Sequence, residues 1–174
     1  MLYDVDVLAG LRGQPRMGFV IAPDDPRAED VRALVERHLT FSDQVTPPGH
    51  VHALDLEGLL GPAVTFFSAR RDGVLLGVAA LRRLDEHHAE LKSMHTAEAA
   101  RRQGVGRAMV AHILAFAAAS DYWRVSLETS TTGAFGAARS LYAKAGFVRC
   151  EPFGEYTADP QSTCMTIYLE RREE

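Results

Sequence analysis

The sequence predicts an α/β chain built on a mixed, mostly antiparallel sheet of about seven strands flanked by helices. Two β-patterned runs, 64–69 and 74–84, are joined by the hairpin dipeptide Asp72-Gly73, and Asp85-Glu86-His87 turns the chain into a further strand over 88–95. Those three runs make an antiparallel meander. The next segment, 105–119, places Val105, Met109, Ile113, Phe116 and Ala117 at helical spacing. It leads into a strand in which Trp123, Val125 and Leu127 alternate with Arg124, Ser126 and Glu128. Strand, crossover helix and strand imply a parallel pair with a right-handed connection. The remaining strands read at 18–22, 147–150 and 163–170.

Taken in order, residues 1–16 carry little periodicity and include Gly10, Gly13 and Pro15. They are expected to form an arm, or an extension ahead of a start at Met17, with one domain over 17–174. Asp24-Asp25-Pro26 signals a helix start, and Val31, Leu34, Val35, His38 and Leu39 then recur on one face. On that stripe His38 reads as a packed structural histidine. Ser42-Asp43 and Pro47-Pro48-Gly49 mark a loop from about residue 40. Leu56, Leu59 and Leu60 suggest a short helix stopped by Gly61-Pro62. Thr131 or Thr132 can cap a last helix with Phe135, Ala138, Tyr142 and Ala145 inside and Gly146 at its end. The stretch 151–162 is long enough for a functional loop.

Composition narrows the function. A chain of 174 residues with net charge −4 has no basic stripe for nucleic acid beyond one cluster at 101–107. Cys150 and Cys164 show no disulfide or metal spacing and read as reduced thiols. His50 and His52 lack a second ligand pair, so no metal is expected. With no membrane-length apolar run and no secretory start, the expected location is cytoplasmic.

The cluster itself is Arg101-Arg102-Gln103-Gly104-Val105-Gly106-Arg107, at a strand–loop–helix junction. Such a junction offers unpaired N–H groups at the positive end of a helix, a site for phosphate. Gly104 and Gly106 remove Cβ atoms where phosphates must approach, and the arginines add fork-shaped donors. Ligands in such sheets lie beyond the carboxyl ends of the strands, which puts Met94, His95 and Thr96 and the stretch from Glu128 to Ser130 beside this loop. The third glycine of a dinucleotide fingerprint and the Lys-Ser/Thr of a nucleotide loop are missing.

Together with Leu141-Tyr142 and Gly146-Phe147, the Arg101-x-x-Gly104-x-Gly106 spacing resembles the GNAT acetyltransferase superfamily over about residues 17–169. A run of prolines followed by His52-Ala53-Leu54-Asp55 is similar to a subgroup of bacterial members. The resemblance implies a sheet whose central parallel strands splay, with acetyl-CoA between them. It implies cofactor contacts at Met94, His95, Thr96, Arg101, Arg102, Gln103, Gly104, Val105, Gly106, Arg107 and Ala138. It further implies direct transfer to a small-molecule or amino-acid-like primary amine, with Tyr142 as the acid that reprotonates the leaving thiolate. A phenol of pKa about 10 keeps its proton at neutral pH. Phe135 stands where the family often has asparagine.

For the base, Glu128 faces the expected cleft, with Glu90, His95 and Asp55 as alternatives. His52, Asp55 and Tyr156 are expected around the acceptor. Family members often form homodimers. The competing reading is a non-catalytic acyl-CoA-binding sensor, which would release no thiol in the presence of amines.

Overall fold

The computed structural model describes residues 18–45 and 54–170. The expected arm and His52 lie outside them. Seven strands form one sheet in the order β1-β2-β3-β4-β5-β7-β6. They are β1 (Val20–Pro23), β2 (Val64–Arg71), β3 (Val74–Arg83), β4 (His88–Thr96), β5 (Arg124–Ser130), β6 (Val148–Cys150) and β7 (Ser162–Tyr168). All neighbours are antiparallel except β4 and β5. Asp72 and Gly73 both take positive φ, 49° and 82°, as a two-residue hairpin turn requires.

Among the described residues four α-helices flank the sheet: α1 (Glu29–Val45), α2 (Leu56–Leu59), α3 (Val105–Ala119) and α4 (Gly136–Lys144). On one face Val31, Leu34 and Val35 of α1 and Leu59 of α2 pack on Phe66, Val78 and Ala80. On the other, Val105, Met109, Val110, Ile113, Phe116 and Ala117 of α3 pack on Phe67, Leu81, Leu91, Val125 and Leu127. The α3 stripe read from the sequence is this buried face.

Three local expectations change. Helix α1 begins at Glu29 rather than at Asp24-Asp25-Pro26. Asp25 instead closes a turn through the Arg27 amide, at 2.9 Å, and Asp24 accepts Arg70 Nε at 2.8 Å. Helix α1 also continues through the expected loop start at residue 40. Thr40 returns its hydroxyl to the Glu36 carbonyl at 2.9 Å, Ser42 is buried, and the Phe41 ring meets Phe135 at 5.5 Å. Tertiary packing there outweighs the weak helix propensity of Thr, Ser and Asp. Finally, α4 has no threonine side-chain cap: a 3-10 turn, Gly133–Phe135, leads into it. Thr131 Oγ1 donates to the Pro160 carbonyl, and the Thr132 carbonyl accepts from Arg139.

Candidate active site

The cleft follows from strand pairing that stops early. Strands β4 and β5 are registered over three pairs only, His88 with Arg124, Ala89 with Val125 and Glu90 with Ser126. Beyond Glu90, β4 has no β5 partner. The β3–β4 register also shifts between Val78 and Ala80, and opposite that shift Ser93 takes φ 50°. A bulge of this kind bends a strand and re-aims its backbone. Between the parted strands lies a cleft of 910 Å³, lined by β4 from Leu91 to Thr96, Glu128 to Ser130 of β5, the start of α3, and α4.

At one end sits the glycine-rich loop. Arg102 and Gly104 adopt left-handed φ of 60° and 82°, and Gly104 immediately precedes α3. The space a Cβ on Gly104 would enter is empty to 4 Å. At Gly106 a Cβ would stand 3.2 Å from Leu141 Cδ2 and 3.4 Å from Met94 Cε. Gly104 therefore leaves room beside the α3 amides, whereas Gly106 lets α3 approach α4 and β4. Arg101, Arg102 and Arg107 are exposed around this point. Open space, unpaired helix-start amides and three guanidinium groups fit a pyrophosphate.

Farther along, Glu128 and Tyr142 line the same cleft. Burial pushes the Glu128 carboxyl up to about 7 against the pull of Lys92 and a Ser162 hydrogen bond, with Glu90 and Asp159 adding to the rise. A carboxyl balanced near neutrality can take a proton. Tyr142 is 8% exposed, edge-on to Phe147 at 5.9 Å, and burial holds its proton well above the usual phenol range.

Of the residues expected from sequence, Met94, His95, Thr96, Arg101, Arg102, Gly104, Val105, Gly106, Arg107 and Ala138 all line the cleft with Glu128 and Tyr142. The Gln103 side chain turns away, donating to the Ala99 carbonyl at 2.7 Å and accepting from Arg71 at 3.2 Å. Asp55 caps α2 by accepting the Gly58 amide at 2.9 Å. Tyr156 donates to Glu90 Oε1 at 2.6 Å and accepts from Lys92 at 2.7 Å. Glu90 is fully buried and held by Arg82, so it cannot meet an acceptor.

His38, Phe41, Ser42, Lys92 and Ser93 also border the cleft without having been singled out for it. His38 lies 4.9 Å from His95, and burial lowers both imidazoles to about 4, so they are neutral. The sequence signal for His38 was its place on the α1 stripe, and His95 had been expected at the cleft. Nothing in the pattern showed that α1 extends to the cleft. Among the described residues there is no group of three or more His, Cys, Asp or Glu able to hold a metal, and no helix long and apolar enough to cross a membrane.

Known proteins agree with this geometry. The family model "Acetyltransferase (GNAT) family" matches residues 29–147. The uncharacterized N-acetyltransferase YsnE from Bacillus subtilis is 43% identical over 84% of this chain and 97% of its own length. The uncharacterized N-acetyltransferase YedL from Escherichia coli is 43% identical over 87% of this chain and 95% of its own. A solved GNAT-family acetyltransferase from Staphylococcus aureus superposes with TM-score 0.69 at 19% identity, covering 87% of this chain and 99% of that one, a likeness of fold. A matched family domain, two relatives above 40% identity and a cleft opened by parting parallel strands agree: the chain belongs to the GNAT acetyltransferase family, enzymes that depend on acetyl-CoA.

Proposed function

We propose that this chain moves the acetyl group of acetyl-CoA directly to a primary amine of a small-molecule or amino-acid-like acceptor, within one ternary complex. The observation that carries the reading is the placement of Glu128 and Tyr142 in the cleft that begins at the α3 amides. Acetyl-CoA, when bound, supplies the activated thioester. Amides from Gln103 to Arg107 and the arginine side chains hold its pyrophosphate, and the β4 backbone from Met94 to Thr96, without a partner on its β5 side, holds the arm and polarises the carbonyl. Glu128 accepts the proton that the attacking amine gives up. Tyr142 donates its proton to the departing sulfur, and proton exchange with Glu128 and solvent resets both groups.

Tyr156 is assigned to the acceptor side through Lys92, and His52 and Asp55 to its outer wall. The test is thiol release from acetyl-CoA across a panel of primary amines, with mass detection of the acetylated amine. Amine-dependent release with a matching N-acetyl product is expected. Coenzyme A binding with no release from any amine would instead favour a sensor.

A further inference from the structure

A row of buried and half-buried charges crosses the sheet beneath the acceptor side of the cleft, and the proposed transfer uses only its last member. Arg82 on β3 stands in register with Glu90 on β4. Its Nε and Nη2 donate to Glu90 Oε2 at 3.0 and 2.8 Å. The other carboxylate oxygen, Oε1, accepts Tyr156 Oη at 2.6 Å and Lys92 Nζ at 3.2 Å. Lys92 Nζ also donates to Tyr156 Oη at 2.7 Å. Its side chain is 7% exposed, yet Lys92 lines the cleft.

The register extends this row to Glu128. Glu90 pairs with Ser126 in the parallel ladder, and Lys92 and Glu128 each lie two residues farther along, on the faces of Glu90 and Ser126. They flank the point where the strands part. An ammonium has three protons to donate, and the two bonds above use two of them. Other titratable groups acting with Glu128 are Glu90 from β4, Asp159 and Tyr156 from the 151–161 loop, and Cys164, its direct partner on β7. Glu90 and Asp159 are acidic and oppose its ionisation, so Lys92 is the cation that favours it.

We propose that Lys92 is a positioning residue for Glu128: pinned by Glu90 and Tyr156, it presents a fixed positive charge that keeps this carboxylate ionised where the acceptor amine must surrender its proton. The assignment rests on the reading of Glu128 as the base. It gives Tyr156 a defined task, which is to hold the ammonium rather than to touch the acceptor. Arg82 keeps Glu90 compensated when Lys92 is replaced, so the row need not collapse with it.

The experiment is a carboxyl-carbon NMR titration of protein labelled at glutamate, with the Glu128 signal assigned by its loss in Glu128→Gln. The wild-type midpoint is expected near 7. Removing the Lys92 charge, which acts on Glu128 electrostatically, should raise the midpoint in Lys92→Met by about 1 pH unit at an effective dielectric of about 20. Lys92→Arg should restore it, because charge and donors remain. Tyr156→Phe, which loosens the anchor and keeps the charge, should shift it upward by a fraction of that amount and serves as the probe if Lys92→Met does not fold. A midpoint unchanged in Lys92→Met, or shifted equally in Lys92→Arg with coenzyme A affinity intact, would overturn the proposal. The acid limb of amine-dependent thiol release should move with the NMR midpoint. A limb that stays in place while the midpoint moves would uphold the Lys92–Glu128 coupling and remove Glu128 as the base.

Discussion

Replacing Glu128 by glutamine should slow the enzyme and stabilise the fold, and the second effect should depend on pH. The carboxyl ordinarily titrates near 4.5 and is pushed to about 7 in the folded chain, mainly by burial. A gap of about 2.5 pH units corresponds to about 3.4 kcal/mol. Screening from the open side of the cleft reduces this to about 2 kcal/mol. The sign follows from which form the fold prefers. A carboxyl raised on folding favours the native state below its unfolded pKa, and that contribution is lost as pH rises through about 7. Glutamine carries no such penalty. Thermal melts followed by circular dichroism at pH 5 and pH 8.5 should therefore show Glu128→Gln gaining about 4–8 °C over wild type at pH 8.5. At pH 5 the gain should shrink to about a quarter of that. The rate of amine-dependent thiol release should fall by about 10²–10⁴-fold, the usual worth of a general base. A stability gain equal at both pH values would show that Glu128 is not an ionising group trapped by burial. An unchanged rate would remove it from catalysis.

Three further outcomes are expected. Tyr142→Phe keeps the ring against Phe147 but deletes the proton donor, so kcat should fall by about 10²–10⁴-fold with the acetyl-CoA dissociation constant nearly unchanged, as measured by steady-state kinetics and calorimetric titration. Gly104→Val forces a branched side chain into the open space at φ 82°, and calorimetry should show coenzyme A affinity lost while circular dichroism shows the fold kept. His112 is buried with neither ring nitrogen bonded among the described residues. His112→Leu should raise stability by about 1–3 kcal/mol in chemical denaturation. Because burial lowers the His112 pKa, the wild type should also lose stability as pH falls below about 6.5, and the leucine variant should lose less, with His38 and His95 still contributing their share.

The parts of this fold governed by local pattern were legible in the sequence. Asp72-Gly73 demanded a tight hairpin, the Val105–Ala119 stripe is the buried face of α3, and Gly104 marked a junction without a Cβ beside a helix start. Tyr142 and Glu128 were readable because helical and strand periodicity fixed which way each points. What escaped was set by contacts distant in sequence. Phe41 and Ser42 sit in a stretch of weak helix formers, and only packing against Phe135 and the cleft keeps α1 going. Lys92 looked like the polar half of an alternating strand. Its buried role depends on Tyr156, 64 residues away, and on Glu90 being held by Arg82 across β3. Tyr156 itself bonds Glu90 and Lys92, which the sequence did not show, because a loop residue's contacts cannot be read from periodicity.

The most direct test of the account is a crystal structure of the protein with coenzyme A. Pyrophosphate should lie on the amides from Gln103 to Arg107, and the pantetheine arm along Met94 to Thr96 between the parted strands. The thiol should end between Glu128 and Tyr142. Coenzyme A bound outside this cleft, or inside it with the thiol directed away from both side chains, would contradict the assignment of the site.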